Sequence, residues 1–183
     1  MMIGNRNIFK NSESFKNVEK DLGYIVSKIA EDEQLLKLLS LQENKEGKLT
    51  SEEKKKILKE CVHIVPVLDL RELENDNRSH IVVFFDDFFP NGENPEYRNK
   101  FLFFNIVWET STWNMGDFKL RPYQIAGRLD VLFDKKKLAN SYSINFLDAN
   151  GKIISDNYGG LTLAYDVIYN VDGDKRDELE WIS

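Results

Sequence analysis

The sequence predicts an α+β fold: an antiparallel sheet with one helix packed across it, a ββαββ-like arrangement, preceded by an N-terminal helical arm. Three observations predict it. Apolar residues recur at helical spacing between Phe15 and Leu39, runs rich in β-branched and aromatic residues begin at His80, and one proline-led helical stripe lies between two groups of such runs. The expected organisation is a helical segment over 1–70 and a sheet domain over 71–183, forming one compact unit together. A chain of 183 residues is long enough for this, since it buries roughly 70% of its unfolded surface in a single core.

Each element has its own local signal. Ser12 or Ser14 opens the first helix, in which Phe15, Val18, Leu22, Ile25, Ile29, Leu36 and Leu39 fall at steps of three, four or seven. Its end, with Leu35, Leu36, Leu38, Leu39 and Leu41, is apolar on more than one side and needs a second partner, either the core or another chain. After a polar connection containing Gly47, Thr50 and Glu53 have the spacing of a capping box. Ile57, Leu58, Cys61 and Val62 line the inner side of the short helix that follows, and Pro66 stops it. An extended segment over 65–70 and a polar loop over 71–79 lead to a strand at 81–85. A second strand at 101–108 is apolar on both faces, and the polar tip between them, 91–99, has the length of loops that often make contacts.

Arg121, Pro122 and Tyr123 open the next helix, with the proline at its first position. Ile125, Ala126, Leu129, Leu132 and Phe133 are its buried stripe, and Lys135, Lys136 and Lys137 close it against the helix dipole. Residues 143–147 alternate, and Asn150-Gly151 carries a turn signal before 152–154. After Gly159 and Gly160, a last strand places Leu161, Leu163, Tyr165, Val167 and Tyr169 on one face.

Composition narrows the function classes. The net charge is −6, and residues 61–183 carry 13 basic against 20 acidic side chains. That balance disfavours close approach to phosphate backbones, so sequence-specific nucleic-acid binding is not expected. One cysteine excludes a disulfide framework, and no apolar run reaches the ~20 residues of a membrane helix. The polar first eleven residues lack the apolar stretch of a secretory signal, so the chain reads as soluble and intracellular.

Residues that carry chemistry are sparse. Cys61 lies on the apolar side of its helix, where thiols are inert, and His63 and His80 sit at no recognised metal spacing. Asp86 and Asp87 are adjacent on a strand, so only one of them faces any given site. The acidic stretch 172–180 lacks the length and the central glycine of a calcium loop. No nucleophile elbow, phosphate loop or dinucleotide fingerprint occurs, and the aromatic residues cluster in apolar runs, as core does. No catalytic residue, metal or cofactor is expected. A hydrolase would have to assemble its site from residues such as His80, Asp86 and Asp130, far apart in the chain.

The order of these pieces carries a resemblance. A helix ending in Leu-Leu-Lys-Leu-Leu (35–39) is followed by the 49–56 capping segment, the strand at 81–89, the tip at 91–98 and the strand at 101–108. Arg121-Pro122-Tyr123-Gln124-Ile125-Ala126-Gly127 and the strand led by Gly159 and Gly160 complete the series. Over about 15–169 the chain resembles the neck and tail-terminator-like ring proteins of tailed bacteriophages. The resemblance implies a non-enzymatic virion structural protein, assembled in the host cytoplasm, forming a closed ring of six or twelve copies that joins portal or connector to tail. DNA would pass through its channel without sequence-specific binding, with acids of the sheet domain facing it, and no membrane would be involved.

On that reading Asn91, Gly92, Asn94, Pro95, Tyr97 and Arg98 at the tip, with Leu38 and Leu39, are the expected subunit contacts. Arg121, Pro122, Tyr123, Gly159 and Gly160 are the positions that carry the resemblance. Arg121 is expected to bond nearby carbonyls or to pair with an acid such as Glu109. The alternative reading is a cytosolic adaptor that binds a peptide on an exposed sheet edge.

Overall fold

The computed structural model describes residues 13–65, 68–73, 76–93, 97–117, 119–138 and 141–170. Ser12, Pro66, Asn94, Pro95 and the acidic stretch at 172–180 lie outside these residues. Four helices, α1 (Glu13–Glu31), α2 (Glu33–Leu39), α3 (Ser51–Cys61) and α4 (Arg121–Phe133), accompany five strands. The strands are β1 (Val62–His63), β2 (His80–Pro90), β3 (Tyr97–Glu109), β4 (Ser141–Ile153) and β5 (Tyr158–Asn170). The fold is α+β, with one sheet in the order β1-β2-β3-β5-β4.

The long helix expected over 15–39 is two helices. At Asp32 the backbone is extended (φ −86°, ψ 93°), and the Asp32 carboxylate accepts the Leu35 N–H at 2.9 Å, capping α2. Apolar spacing alone does not reveal the break, because the leucines beyond it face the same core. Leu35, Leu36, Leu38 and Leu39 are all buried in a cluster that includes Ile25, Ile29, Ile81, Leu102, Phe104 and Tyr165. The second partner that this leucine-rich end required is therefore the chain's own sheet and helices.

Thr50 and Glu53 form the capping box their spacing predicts, with Thr50 Oγ1 accepting the Glu53 N–H and Glu53 accepting the Thr50 N–H. Glu53 also pairs with Lys45, and these bonds hold its carboxyl down at about 2. Val62, expected on the inner side of α3, instead leaves the helix to start β1. That strand pairs in parallel with Ile81 and Val82, so the sheet is mixed rather than purely antiparallel. Two residues of strand give no alternating pattern to read.

The central strands are longer than their apolar runs. Charged and polar residues extend them: Asp86 in β2 pairs in register with Phe101, and Asn99 in β3 with Ile168. The tip shortens accordingly, from 91–99 to 91–96. Asn150-Gly151 makes no turn. These residues continue β4 opposite Thr162 and Leu161, and the chain reverses at 154–157, where Ser155 and Tyr158 exchange backbone hydrogen bonds. A thirteen-residue ladder along β5 outweighs one local turn preference. α4 ends at Phe133, so the three lysines expected in its last turn lie beyond it, with Lys135 in the left-handed region (φ 55°).

One face of the sheet carries the core. Ile81, Val83, Leu102, Phe104, Leu163 and Tyr165 alternate inward from β2, β3 and β5, and Phe104 stacks on Phe133 of α4 with ring centroids 5.0 Å apart. Leu161, Leu163, Tyr165, Val167 and Tyr169 are all buried, as their two-residue period predicts. The opposite face is buried at His80, Val82 and Val107 and half-buried at the stacked pair Phe84 and Phe103.

Candidate functional site: an aromatic cleft at one end of the sheet

The sheet ends differ. At the end where β3 finishes and β5 begins, Trp108 pairs in register with Gly159. An ideal Cβ on Gly159 would lie 2.5 Å from Trp108 Cζ2, so only glycine lets the indole lie flat against the β5 backbone. Trp113 meets Trp108 edge to face at 5.3 Å, and Tyr123 meets Trp113 in the same way at 6.3 Å. These three rings, with Pro122 at the start of α4 and Ile153 at the end of β4, border an open cleft of about 550 Å³. Tyr123 is 55% exposed and Ile153 88% exposed, whereas Trp108 is 3% exposed. Trp108 Nε1 is buried with no hydrogen-bond partner among the described residues. The charged groups on the lining are Lys152 and Asp156.

Arg121 fixes the start of α4 beside this cleft. It is 5% exposed and reaches away from it: Nη1 and Nη2 donate to the two Glu43 carboxylate oxygens at 2.9 and 2.6 Å, Nη1 to the Leu38 carbonyl at 3.1 Å, and Nε to the Thr112 carbonyl at 3.0 Å. The acid it pairs with is Glu43, not Glu109. The bond from Arg121 holds the Glu43 carboxyl below the usual carboxylate range. Arg121 thereby ties the end of α2, at Leu38, and Glu43 just beyond it to the start of α4, across 83 and 78 residues of sequence.

The expected subunit contacts are dispersed. Leu38 and Leu39 are 8% and 0% exposed within the chain's own core, so they present no surface to a neighbour. Gly92 is exposed at the tip, Tyr97 and Arg98 are half-buried, and Asn91 donates to Asn99 Oδ1 at 2.8 Å. The tip lies beyond Pro90 and Tyr97, at the opposite end of β3 from Trp108. By contrast the five resemblance positions come together: Pro122, Tyr123, Gly159 and Gly160 line the cleft, and Arg121 anchors it.

The groups that a hydrolase would need do not converge. His80 and Asp86 stand six residues apart on β2, about 20 Å at strand rise, and Asp130 accepts the Tyr165 hydroxyl at 3.1 Å. His80 Nδ1 lies 3.1 Å from His63 Nε2, and burial pushes the His80 imidazole down to about 4. Burial pushes the Cys61 thiol up to about 12, leaving it a core residue. Asp86 and Asp87 are both exposed at a bulge, with Asp87 at φ 50°. Among the described residues no group of three His, Cys, Asp or Glu side chains is placed to hold a metal ion, and no helix is long and apolar enough to cross a membrane.

Sequence reasoning missed Trp108, Trp113 and Ile153 as cleft residues. Trp108 read as core, and nothing local marks Trp113. The available signal was Gly159-Gly160 beside an aromatic strand, a pattern that admits close backbone approach.

Fold and cleft together define an α+β domain with an aromatic cleft at one sheet end. The chain belongs to the YomW family, whose model matches residues 32–167, a span that runs from the cap of α2 through the whole cleft. No curated protein matches the chain.

Proposed function

We propose that this chain is a structural subunit of a tailed-bacteriophage particle, forming a closed ring in the neck or tail between portal or connector and tail, around the path of the DNA. Its YomW membership supports the phage setting, since that family is of a phage-region type. The observation that carries the ring reading is the placement of two different surfaces at opposite ends of one sheet. The polar residues at 91–93, next to Pro90 and Tyr97, lie at one end and the aromatic cleft at the other, separated by the length of β3. A closed ring requires unlike surfaces on each subunit, one meeting the other around the circle, and a subunit with two distinct ends satisfies that requirement. On this reading the neighbours are the portal, connector or tail proteins above and below, and DNA passes without being held.

The edge strand β4 favours the adaptor as a second reading. Phe146, Leu147 and Ile153 are exposed along it, and strand addition to such an edge is a common way to bind peptides. Antibody labelling of purified particles in electron micrographs separates the two. The ring reading expects label at the head–tail junction, and label confined to the cytosol of infected cells would overturn it in favour of the adaptor.

A further inference from the structure

We infer that the free edge of β4 at 149–153 binds an extended segment of another protein as an added strand, with one aromatic side chain of that segment lying over Gly151 into the aromatic cleft. The inference goes beyond the ring reading and rests on it only for where the partner is found, in an adjoining layer of the particle.

β4 is the last strand of the sheet and pairs only with β5. The first part of its outer edge is taken. The Ile144 N–H donates to the Lys136 carbonyl, the Lys135 N–H to the Ile144 carbonyl, and the Phe146 N–H to the Asp134 carboxylate. A bulge between Phe146 and Asp148 then shifts the alternation by one residue. Beyond it Asp148, Asn150 and Lys152 turn their backbone groups toward β5, and Ala149, Gly151 and Ile153 turn theirs outward. The Asp148 carboxylate meets the Ala149 N–H at 2.7 Å, but no bond from a described residue reaches the outward groups of Gly151 and Ile153. Every residue from Phe146 to Ile153 is exposed. Such a row of backbone donors and acceptors is what an extended peptide pairs with.

Gly151 shows where the partner comes close. It makes no turn, its φ lies outside the left-handed region, and an added Cβ would meet only the Gly160 carbonyl oxygen, at 4.0 Å. Glycine weakens a strand that a β-branched residue would strengthen, so nothing inside the chain calls for it here. Its missing side chain instead opens the cleft to the edge, since Gly151 and its cross-strand neighbour Leu161 both line that cleft beside Ile153 and Tyr123. A residue set opposite Gly151 on an added strand points to the face that Leu161 shares. Glycine in a strand admits another backbone, and an aromatic side chain across from it covers the gap.

The cleft selects what the partner carries. Trp113 and the half-exposed Tyr123 already meet edge to face, and a third ring extends that packing. The rim holds one base and one acid, Lys152 and Asp156, so it favours an uncharged group. The sheet edges of a second copy do not supply it. Two β4 edges in their fullest overlap set Gly151 against Gly151 and Ala149 against Ile153, and no ring enters either cleft. At the other edge, β2 is covered by β1 at Ile81 and Val82, Val83 is 0% exposed, and the exposed acids Asp86 and Asp87 bulge beyond it.

The test uses the full-length protein and a fluorescein-labelled seven-residue peptide that alternates Thr and Val around a central Phe. Anisotropy should show saturable binding that weakens at least tenfold when Ala replaces the central Phe. Gly151→Val, which fills the gap, and Ile153→Pro, which removes an outward N–H, should each weaken it by as much. Both positions are exposed on an edge strand, so circular dichroism should show an unchanged fold. N-methylation of the peptide should abolish binding at every second amide and spare it at those between. Should Ile153→Pro not fold, the methylated peptides report the same bonds. Binding no tighter than that of the Ala peptide, or indifferent to Gly151→Val or to methylation, overturns the inference. So does a dimer in sedimentation equilibrium that Gly151→Val dissociates, which gives the edge to a second copy. Failure here is distinguishable from failure of the ring reading. Peptide binding by a protein absent from particles upholds the site while removing the ring, and a chain present in particles that ignores the peptide overturns the site alone.

Discussion

The two ends of the sheet solve opposite problems with similar side chains. Near Asn170, Lys100 and Asp21 are each 1% exposed and form an ion pair at 2.7 Å, with the ammonium 4.0 Å from the Phe85 ring centroid and 5.2 Å from that of Tyr169. Burial lowers the Lys100 pKa against the opposing pull of Asp21. Here aromatic rings and charge close a seam between α1 and the sheet. Around Trp108 and Gly159 the aromatic rings meet one another edge to face, yet the cleft stays open and Tyr123 faces solvent. Closure of the first end belongs to stability. Exposure of the second is what a binding surface requires, and substitutions should separate the two.

The largest effect should come from the closed end. Lys100→Met strands the Asp21 carboxylate in the core and is expected to cost about 3–5 kcal/mol in urea unfolding. The double variant Asp21→Leu/Lys100→Met should recover most of that loss, because no buried charge is left alone. If the single variant unfolds at the wild-type midpoint, the seam is not what holds α1 to the sheet.

Next in size is a pH effect at His80, which is 1% exposed. Unfolded, its imidazole takes up a proton near the usual 6.5; in the fold it does so only at about 4. Acid therefore favours the unfolded chain across that window, and stability should fall by as much as about 3 kcal/mol between pH 6.5 and 4. His80→Gln should flatten this part of the profile while Glu43 and other carboxylates still titrate below it. An unchanged slope in the variant would place the acid sensitivity elsewhere.

At the open end, Gly159→Ala drives a methyl into the Trp108 ring and should cost about 1–3 kcal/mol through overpacking. Displacement of the indole should also change tryptophan fluorescence, and a silent spectrum would mean that the ring is not held against β5. Thr50→Ala removes the α3 cap for about 1 kcal/mol, read as a lower unfolding midpoint. Tyr123→Ala sharpens the contrast most. Its stability should stay within about 0.5 kcal/mol of wild type, as for other exposed positions, while anything that uses the cleft is lost.

This contrast also explains what was legible in the sequence. The capping box, the inward face of β5 and the proline at the start of α4 are local patterns, and each stands where its spacing places it. Asp32 was opaque because the apolar period runs unbroken past it, and Asn150-Gly151 misled because β5 pairs with both residues. The partner of Arg121 lies 78 residues away in sequence, and the cleft combines β3, β4, β5 and α4. No local period encodes such meetings. Even so, the motif positions at 121–123 and 159–160, separate in the chain, converge on the cleft. The tip and the two leucines chosen as contacts do not share one surface.

The central claim is that this chain builds a ring in a phage particle. Quantitative mass spectrometry of purified particles, counted against a capsid protein of known copy number, tests it most directly. The account predicts six or twelve copies per particle; absence of the chain from purified particles would contradict it.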